Sequence, residues 1–217
     1  MISADARLGS DVSVGQNVVV HAGSVIGDGC VLQDGCVIGK PAALSAATTA
    51  AISDLDGARL GAGTKICAGA IVFASAQLAD GVVIGDNAIV RERVSVGAGS
   101  VIGAAAVVEN DTTIGANVKI QTLANITAHV TIEDDVFVAP GVLTTNDNAI
   151  GRAPEEPNIG PTLRRGCRIG AGSVLLPGIE IGEQAFVAAG SLVTRSVAPG
   201  MLVMGSPARE IRAIDAP

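Results

Sequence analysis

The chain has no tryptophan and no tyrosine, and phenylalanine occurs only as Phe73, Phe137 and Phe186 in 217 residues. Broad globular cores lean on aromatic side chains, each burying about 150–250 Å², so a core of that kind is excluded. Long apolar runs are missing as well: none approaches the roughly 18–20 residues that a membrane helix requires. Residues 1–10 lack the basic-then-apolar layout of a secretory signal. The cytoplasm is the expected location, with no membrane partner. Positive charge is also scarce. A net charge of −7 argues against non-specific binding to nucleic acid or anionic lipid. The deficit is uneven, because residues 163–217 hold six arginines against four acids. A polyanionic ligand is better received toward the C-terminal end.

What is present is a repeat. From Ile2 to Ile38, from Leu60 to Val138 and from Leu163 to Val193, every sixth residue is Leu, Ile or Val, 27 in all. The fifth position of each hexad is Ala, Val, Ser, Thr or Cys, with the single exception of Ile179. Gly often fills the second position, as at Gly9, Gly85 and Gly170. Strands alternate faces with period two, so two inward positions in six residues describe a short strand followed by a tight bend. Three such units close a triangular coil of about 18 residues. A sandwich of hairpins would show strict alternation and a turn signal every 8–12 residues or so, and neither occurs. The fold expected is all-β, one parallel β-helix domain over residues 1–217. It carries inserted loops at 44–59 and 144–162 and a short C-terminal tail at 199–217.

The hexad of an aliphatic residue, often Gly, two free positions and a small residue resembles that of the left-handed β-helix acyltransferases. The resemblance implies left-handed winding and a homotrimer.

The register also disposes of the cysteines. Cys30, Cys36 and Cys167 take the inward fifth position and read as small apolar fillers, with Cys67 the exception. Their spacing supports neither a disulfide framework nor a metal site. His21 and His129, the only histidines, lie about five coils apart, roughly 24 Å at the usual strand spacing, and cannot share one ion. No metal is expected. The γ-class carbonic anhydrases share this fold but need three histidines.

Both interruptions of the register leave from one edge of the prism. Residues 18 apart stack there into two columns: Ala74, Glu92, Asn110, Ala128 and Asn146 beside Ser75, Arg93, Asp111, His129 and Asp147. A solvated ladder that staples coils together explains Arg93 and Asp111 without any function. Two long loops bracketing a polar edge point instead to a site. His129 and Glu92 are the candidate bases or amine-positioning groups, and Asn110, Asn146, Asp147 and Arg93 the candidate substrate contacts. A structural or ice-binding β-helix is the rival from another class, but threonine forms no outward array.

Residues 169–211 resemble the closing coils of acyl-CoA-dependent transferases of this class. That resemblance implies that the thioester arm of acetyl-CoA or another acyl-CoA passes Ala188, Ala189 and Gly190. It also implies that Arg209, in GSPAR (205–209), lies near the nucleotide phosphates. Arg164, Arg165 and Arg168 are further candidates for phosphate pairing, and amides near Gly141 are candidate oxyanion donors. The stretches 119–152 and 161–170, with TTND at 144–147 and GKP at 39–41, are similar to N-acyltransferases of nucleotide-linked amino sugars of the dTDP-3-amino-3,6-dideoxyhexose type. The implied acceptor is the amine of a dTDP- or UDP-linked sugar. The alternative is O-acetylation of a small hydroxyl compound, as in serine, galactoside or antibiotic acetyltransferases.

Overall fold

The computed structural model describes residues 1–43, 55–153 and 155–214. Residues 44–54, which make up most of the first expected loop, lie outside the described residues.

The chain winds as one left-handed parallel β-helix of about 10 turns. Most strands are two residues long, and they stack into three sheets of nine, eleven and nine strands. Along each sheet, partners are 18 residues apart, as in Gln77 with Ser95, Val83 with Val101 and Ile89 with Val107. We call the sheet containing Leu60 the first face, that of Ile66 the second and that of Val72 the third. Among the described residues, no helix is long and apolar enough to cross a membrane.

The hexad pattern builds this directly. First-position residues such as Ile66, Ile84, Ile102, Ile120 and Leu175 are fully buried, each worth about 1.5–3 kcal/mol relative to exposure. The small fifth-position residues fill the corners. At Thr64, Ser100, Thr112 and Ser173 the hydroxyl donates to a carbonyl 15 residues on, as from Ser100 to Gly115 O at 2.8 Å and from Ser173 to Ala188 O at 3.1 Å. Ser24 is the exception, its buried hydroxyl lacking a partner among the described residues. Cys30, Cys36 and Cys167 are buried and free, as expected. Burial pushes the Cys36 thiol up to about 11 and the Cys167 thiol up to about 12.

A second interlock runs along two of the three edges. An aspartate at the third position accepts from a backbone N–H one coil below, as Asp28 does from Ser10 N, Asp34 from Gln16 N, and Asp80 from Ala62 N. The side chain leaves no room for a neighbour. A Cβ added at Gly9 would fall 2.3 Å from Asp28 Oδ1, which is why glycine precedes these turns.

Both insertions leave the stacking undisturbed. Ile26 pairs with Leu60 across the first, and Ile132 with Leu163 across the second. Their bounds are tighter than the pattern gives, because Arg59, Thr144 and Thr162 are strand residues. Thr144 takes an aliphatic first position and is fully buried, its hydroxyl satisfied by Thr127 N at 2.8 Å and Thr127 Oγ1 at 3.0 Å. A rule that demands Leu, Ile or Val ends the repeat one hexad early. The expected tail is also more ordered than its composition suggests. Met201–Gly205 and Ala208–Ala213 form an antiparallel hairpin that extends the second face from Phe186–Val187. At the opposite end the first inward residues, Ile2, Leu8 and Val14, are open to solvent.

Candidate active site

The third edge, where the third face turns into the first, carries the polar columns. Its fourth-position residues Ser75, Arg93, Asp111 and His129 all have positive φ, between 57° and 65°. That conformation is rare for residues other than glycine. It is imposed by the coil, since the other edges show it too, and it throws these side chains outward from the turn.

Between Arg91 and Asp147 each ionisable side chain on this edge has a defined partner among the described residues, apart from one. Arg91 holds Glu92 through two hydrogen bonds, Nε to Oε2 and Nη2 to Oε1, both 2.8 Å, and Glu92 is fully buried. Arg91 also lies over the Phe73 ring at 5.2 Å, and Lys40 Nζ at 4.3 Å. One coil on, Arg93 grips Asp111 the same way, at 2.7 and 2.9 Å. Asn110 Nδ2 adds a bond to Asp111 Oδ2 at 2.7 Å. Hydrogen bonding from Arg93 is the main reason the Asp111 carboxyl lies below the usual carboxylate range. Arg93 Nη1 is buried without a partner.

His129 is the exception. It is exposed, and neither ring nitrogen makes a hydrogen bond or ion pair among the described residues. The two carboxylates that the column arithmetic brings near it are committed elsewhere. Asp111 is held by Arg93. Asp147 turns back on its own loop and accepts from the amides of Ala149, Ile150 and Gly151 at 2.7, 3.0 and 2.6 Å. Those bonds, chiefly that from Gly151, hold the Asp147 carboxyl below its ordinary value. Asn146 Nδ2 donates to Ala128 O at 3.2 Å, pinning the loop's start one residue from His129.

The residues assigned to the thioester lie elsewhere on the chain. Ala188, Ala189, Gly190 and Gly141 occupy the second edge, between the second and third faces. A Cβ at Gly141, Gly172 or Gly190 would meet nothing within 4 Å, so backbone there faces open space. The Gly141 amide is already used, donating to Thr122 O at 3.1 Å. Free amides nearby include those of Thr122 and Ala171, which find no acceptor among the described residues. The aspartate that caps such amides elsewhere is replaced above them by Pro140 and Ala189. A single chain therefore does not bring His129 and Gly141 together: they stand at opposite ends of the third face.

Arg164 and Arg165 sit on the remaining edge, and carboxylates already engage them. Arg164 bonds Glu133 at 2.8 Å and Glu180 at 2.6 Å, and Arg165 bonds Asp134 at 2.8 Å. Arg168 donates to Asp135 O. Arg209 is differently placed. Its side chain bonds only the adjacent Ala208 O, at 2.9 Å, and it lines a cleft of about 340 Å³ with Thr194, Arg195, Ser196 and Glu210. Arg195 is a cation that residue typing alone passed over, as is Arg91. Stacking the second-position column of the third edge, Phe73, Arg91, Glu109 and Thr127, would have shown Arg91 beside Glu92. His21, set aside on spacing, lines a cleft of about 330 Å³ with Asp56 and Ala74 at the N-terminal end of the same edge.

The coil count, the inward aliphatics and the turn glycines recur in known proteins. The sequence model for the bacterial transferase hexapeptide repeat, in six-repeat units, matches residues 5–40, 111–146 and 160–195. The chain belongs to this hexapeptide-repeat family. It is similar to a serine acetyltransferase of Buchnera aphidicola, 39% identical over 80 residues, covering 37% of this chain and 28% of that protein. It is also similar to a 2,3,4,5-tetrahydropyridine-2,6-dicarboxylate N-acetyltransferase of Clostridium perfringens. There, 47% of 47 residues are identical, covering 22% of this chain and 20% of the relative. These matches span less than a third of each relative's length. In fold, this hexapeptide-repeat chain is similar to a UDP-N-acetylglucosamine O-acyltransferase from Moraxella catarrhalis, with a TM-score of 0.61 and 14% identity over 98% of this chain and 72% of that one.

Proposed function

We propose that the protein transfers an acyl group from acetyl-CoA or another acyl-CoA to the amine of a dTDP- or UDP-linked amino sugar. The observation that carries this reading is His129: an exposed imidazole with both nitrogens unoccupied, on an edge where every neighbouring ionisable group is fixed. Membership in a family of transferases supports the reaction class. The likeness of residues 119–152 and 161–170 to nucleotide-sugar N-acyltransferases supports the acceptor.

The chemistry asks little of the chain. The amine nitrogen attacks the thioester carbonyl, the carbon–nitrogen bond forms, and the carbon–sulfur bond breaks. One proton leaves the nitrogen, for the departing thiolate or for His129 of a neighbouring copy in the homotrimer that the resemblance implies, since one chain holds the two edges apart. The free amides of Thr122 and Ala171 are the donors available to the thioester arm and its oxyanion. The Asp147-capped loop and Asn146 hold the sugar, with Asn110 and Arg93 beneath it. Glu92, its two oxygens occupied by Arg91, serves as an anchor for that side chain and supports the edge. Arg209 and Arg195 receive the nucleotide phosphates.

O-acetylation of a small hydroxyl compound is the second reading, favoured by the likeness to a serine acetyltransferase. One experiment separates the two. Free thiol is followed with acetyl-CoA and matched panels of dTDP- and UDP-amino sugars, serine and galactosides. Thiol release is expected with a nucleotide-linked amine. Release with a hydroxyl compound alone transfers the assignment to the second reading, and release with no acceptor overturns both.

A further inference from the structure

The first insertion gathers polar groups that the chemistry at His129 leaves idle. His21, Gly39 and Asp56 line a cleft of about 330 Å³ toward the N-terminal end of the third edge. Ser75 pins its rim, donating to Asp56 O from N at 2.7 Å and from Oγ at 3.3 Å. Among the described residues, the side chains of His21, Lys40 and Asp56 make no hydrogen bond or ion pair. The buried Ser24 hydroxyl, also without a partner, lies against Gly39, where an added Cβ would collide with it. In the coils that follow, by contrast, Arg91 is bonded to Glu92 and Arg93 to Asp111.

Cations meet beside this cleft. Lys40 pairs with Phe73 across the first insertion, and Arg91 takes the same column one coil further on. Lys40 Nζ lies 4.3 Å and the Arg91 guanidinium carbon 5.2 Å from the Phe73 ring centroid. Two cations held at one ring repel each other, and the carboxylate bonded to them is that of Glu92. It occupies Nε and Nη2 of Arg91, which leaves Nη1 and the whole Lys40 ammonium free to donate. A guanidinium and an ammonium with donors to spare form a receptor for phosphate oxygens.

We propose that this cleft holds the pyrimidine nucleoside diphosphate of the acceptor, with the diphosphate on Lys40 and Arg91 and the base between His21 and Asp56. The assignment rests on the acceptor being nucleotide-linked. Pro41, Ala42 and Leu55 give the cleft apolar walls that suit a planar ring. Asp56 can accept from the imide N–H that thymine and uracil share, and His21 can donate to a ring carbonyl. The heights agree as well. Arg91 lies two coils on the N-terminal side of His129, about 10 Å at the usual strand spacing, a gap that one diphosphate-linked hexose spans. Arg195 lies three coils on the other side, about 15 Å away, beyond reach of the same diphosphate.

The test is calorimetric titration of the whole chain with dTDP and with UDP, in the absence of acyl-CoA. Saturable binding of at least one is expected, weakened about tenfold in Lys40→Gln and unchanged in Lys65→Gln, whose lysine lies on the second face. Acetyl-CoA is expected not to displace the nucleotide. Failure of both nucleotides to bind, displacement by acetyl-CoA, an equal loss in Lys65→Gln, or wild-type affinity in Lys40→Gln overturns the proposal. Should Lys40→Gln lose its circular dichroism spectrum, Asp56→Asn decides: nucleotide affinity is expected to fall about fivefold while inorganic diphosphate binds as it does to wild type, and unchanged nucleotide affinity overturns the assignment. The result is separable from that of acyl transfer. Nucleotide binding that depends on Lys40, with thiol released for no acceptor, keeps the site and removes the transferase reading. Thiol release for a nucleotide-linked amine with KM unchanged in Lys40→Gln does the reverse.

Discussion

Arg91 and Glu92 are chain neighbours joined by two 2.8 Å hydrogen bonds, with Glu92 fully buried and Arg91 27% exposed. The pair is therefore asymmetric. Removing Arg91 strands a buried carboxylate, whereas neutralising Glu92 leaves a cation that water still reaches. Arg91→Met is expected to cost about 3 kcal/mol or more of unfolding free energy, and Glu92→Gln clearly less. Denaturant titration of both variants checks this, and turnover per folded Glu92→Gln molecule is expected to stay near wild type. A large loss of turnover in a fully folded Glu92→Gln protein would return Glu92 to the chemistry.

His129→Asn keeps a polar side chain but removes the proton acceptor. Turnover at saturating substrates is expected to fall about a hundredfold. Turnover within twofold of wild type assigns the proton to the thiolate and leaves His129 a positioning role.

Asp147 accepts three loop amides, so its effect on the reaction passes through the loop. Asp147→Ala is expected to raise KM for the acceptor about tenfold while kcat changes little. Proteolytic cleavage between residues 148 and 160 should become faster. A fall in kcat at unchanged KM would place the carboxylate on the reacting groups.

The Arg93–Asp111 pair makes stability depend on pH with a definite sign. The Asp111 carboxyl is held low in the fold, so its contribution is present above the ordinary aspartate value of about 3.9 and is lost as pH falls through the depressed one. With both side chains partly exposed, the effect is about 1 kcal/mol. The stability gap between wild type and Asp111→Asn is expected to be full at pH 6 and closed near pH 2, measured by thermal unfolding.

Arg165 is tied to Asp134 at 2.8 Å, while Arg209 bonds only Ala208 O in its own segment. KM for acetyl-CoA is expected to rise several-fold in Arg209→Ala and to stay unchanged in Arg165→Ala. Equal effects would mean that the carboxylate ladder opens to admit the phosphates.

The legible part of this protein is whatever repeats. Leu, Ile or Val at each first position and, Ile179 apart, a small residue at each fifth specify a narrow core, and period six closes a triangular coil that buries both, while its left hand came from the family resemblance. Fold, coil length and the inward cysteines follow from composition and spacing, because inward position depends only on a residue's place in the hexad. The repeat missed Thr144, whose buried hydroxyl replaces an aliphatic side chain by bonding to Thr127.

The site is where sequence arithmetic stops. Stacking by 18 put Glu92, His129 and Asp147 on one edge, and they are there. Which of them is free was decided in three dimensions. Arg91 claims Glu92, Arg93 claims Asp111, and the loop's own amides claim Asp147, leaving His129 alone uncommitted. Hydrogen bonds are satisfied by direction and distance, which a column of residue types does not carry. For the same reason Arg164 and Arg165 read as phosphate ligands in sequence and become rungs of an ion-pair ladder in the fold. The sequence by itself determined the scaffold, because burial in a regular coil is a matter of period. Only the tertiary structure decided which polar groups remain unpaired, because pairing depends on neighbours a whole coil away.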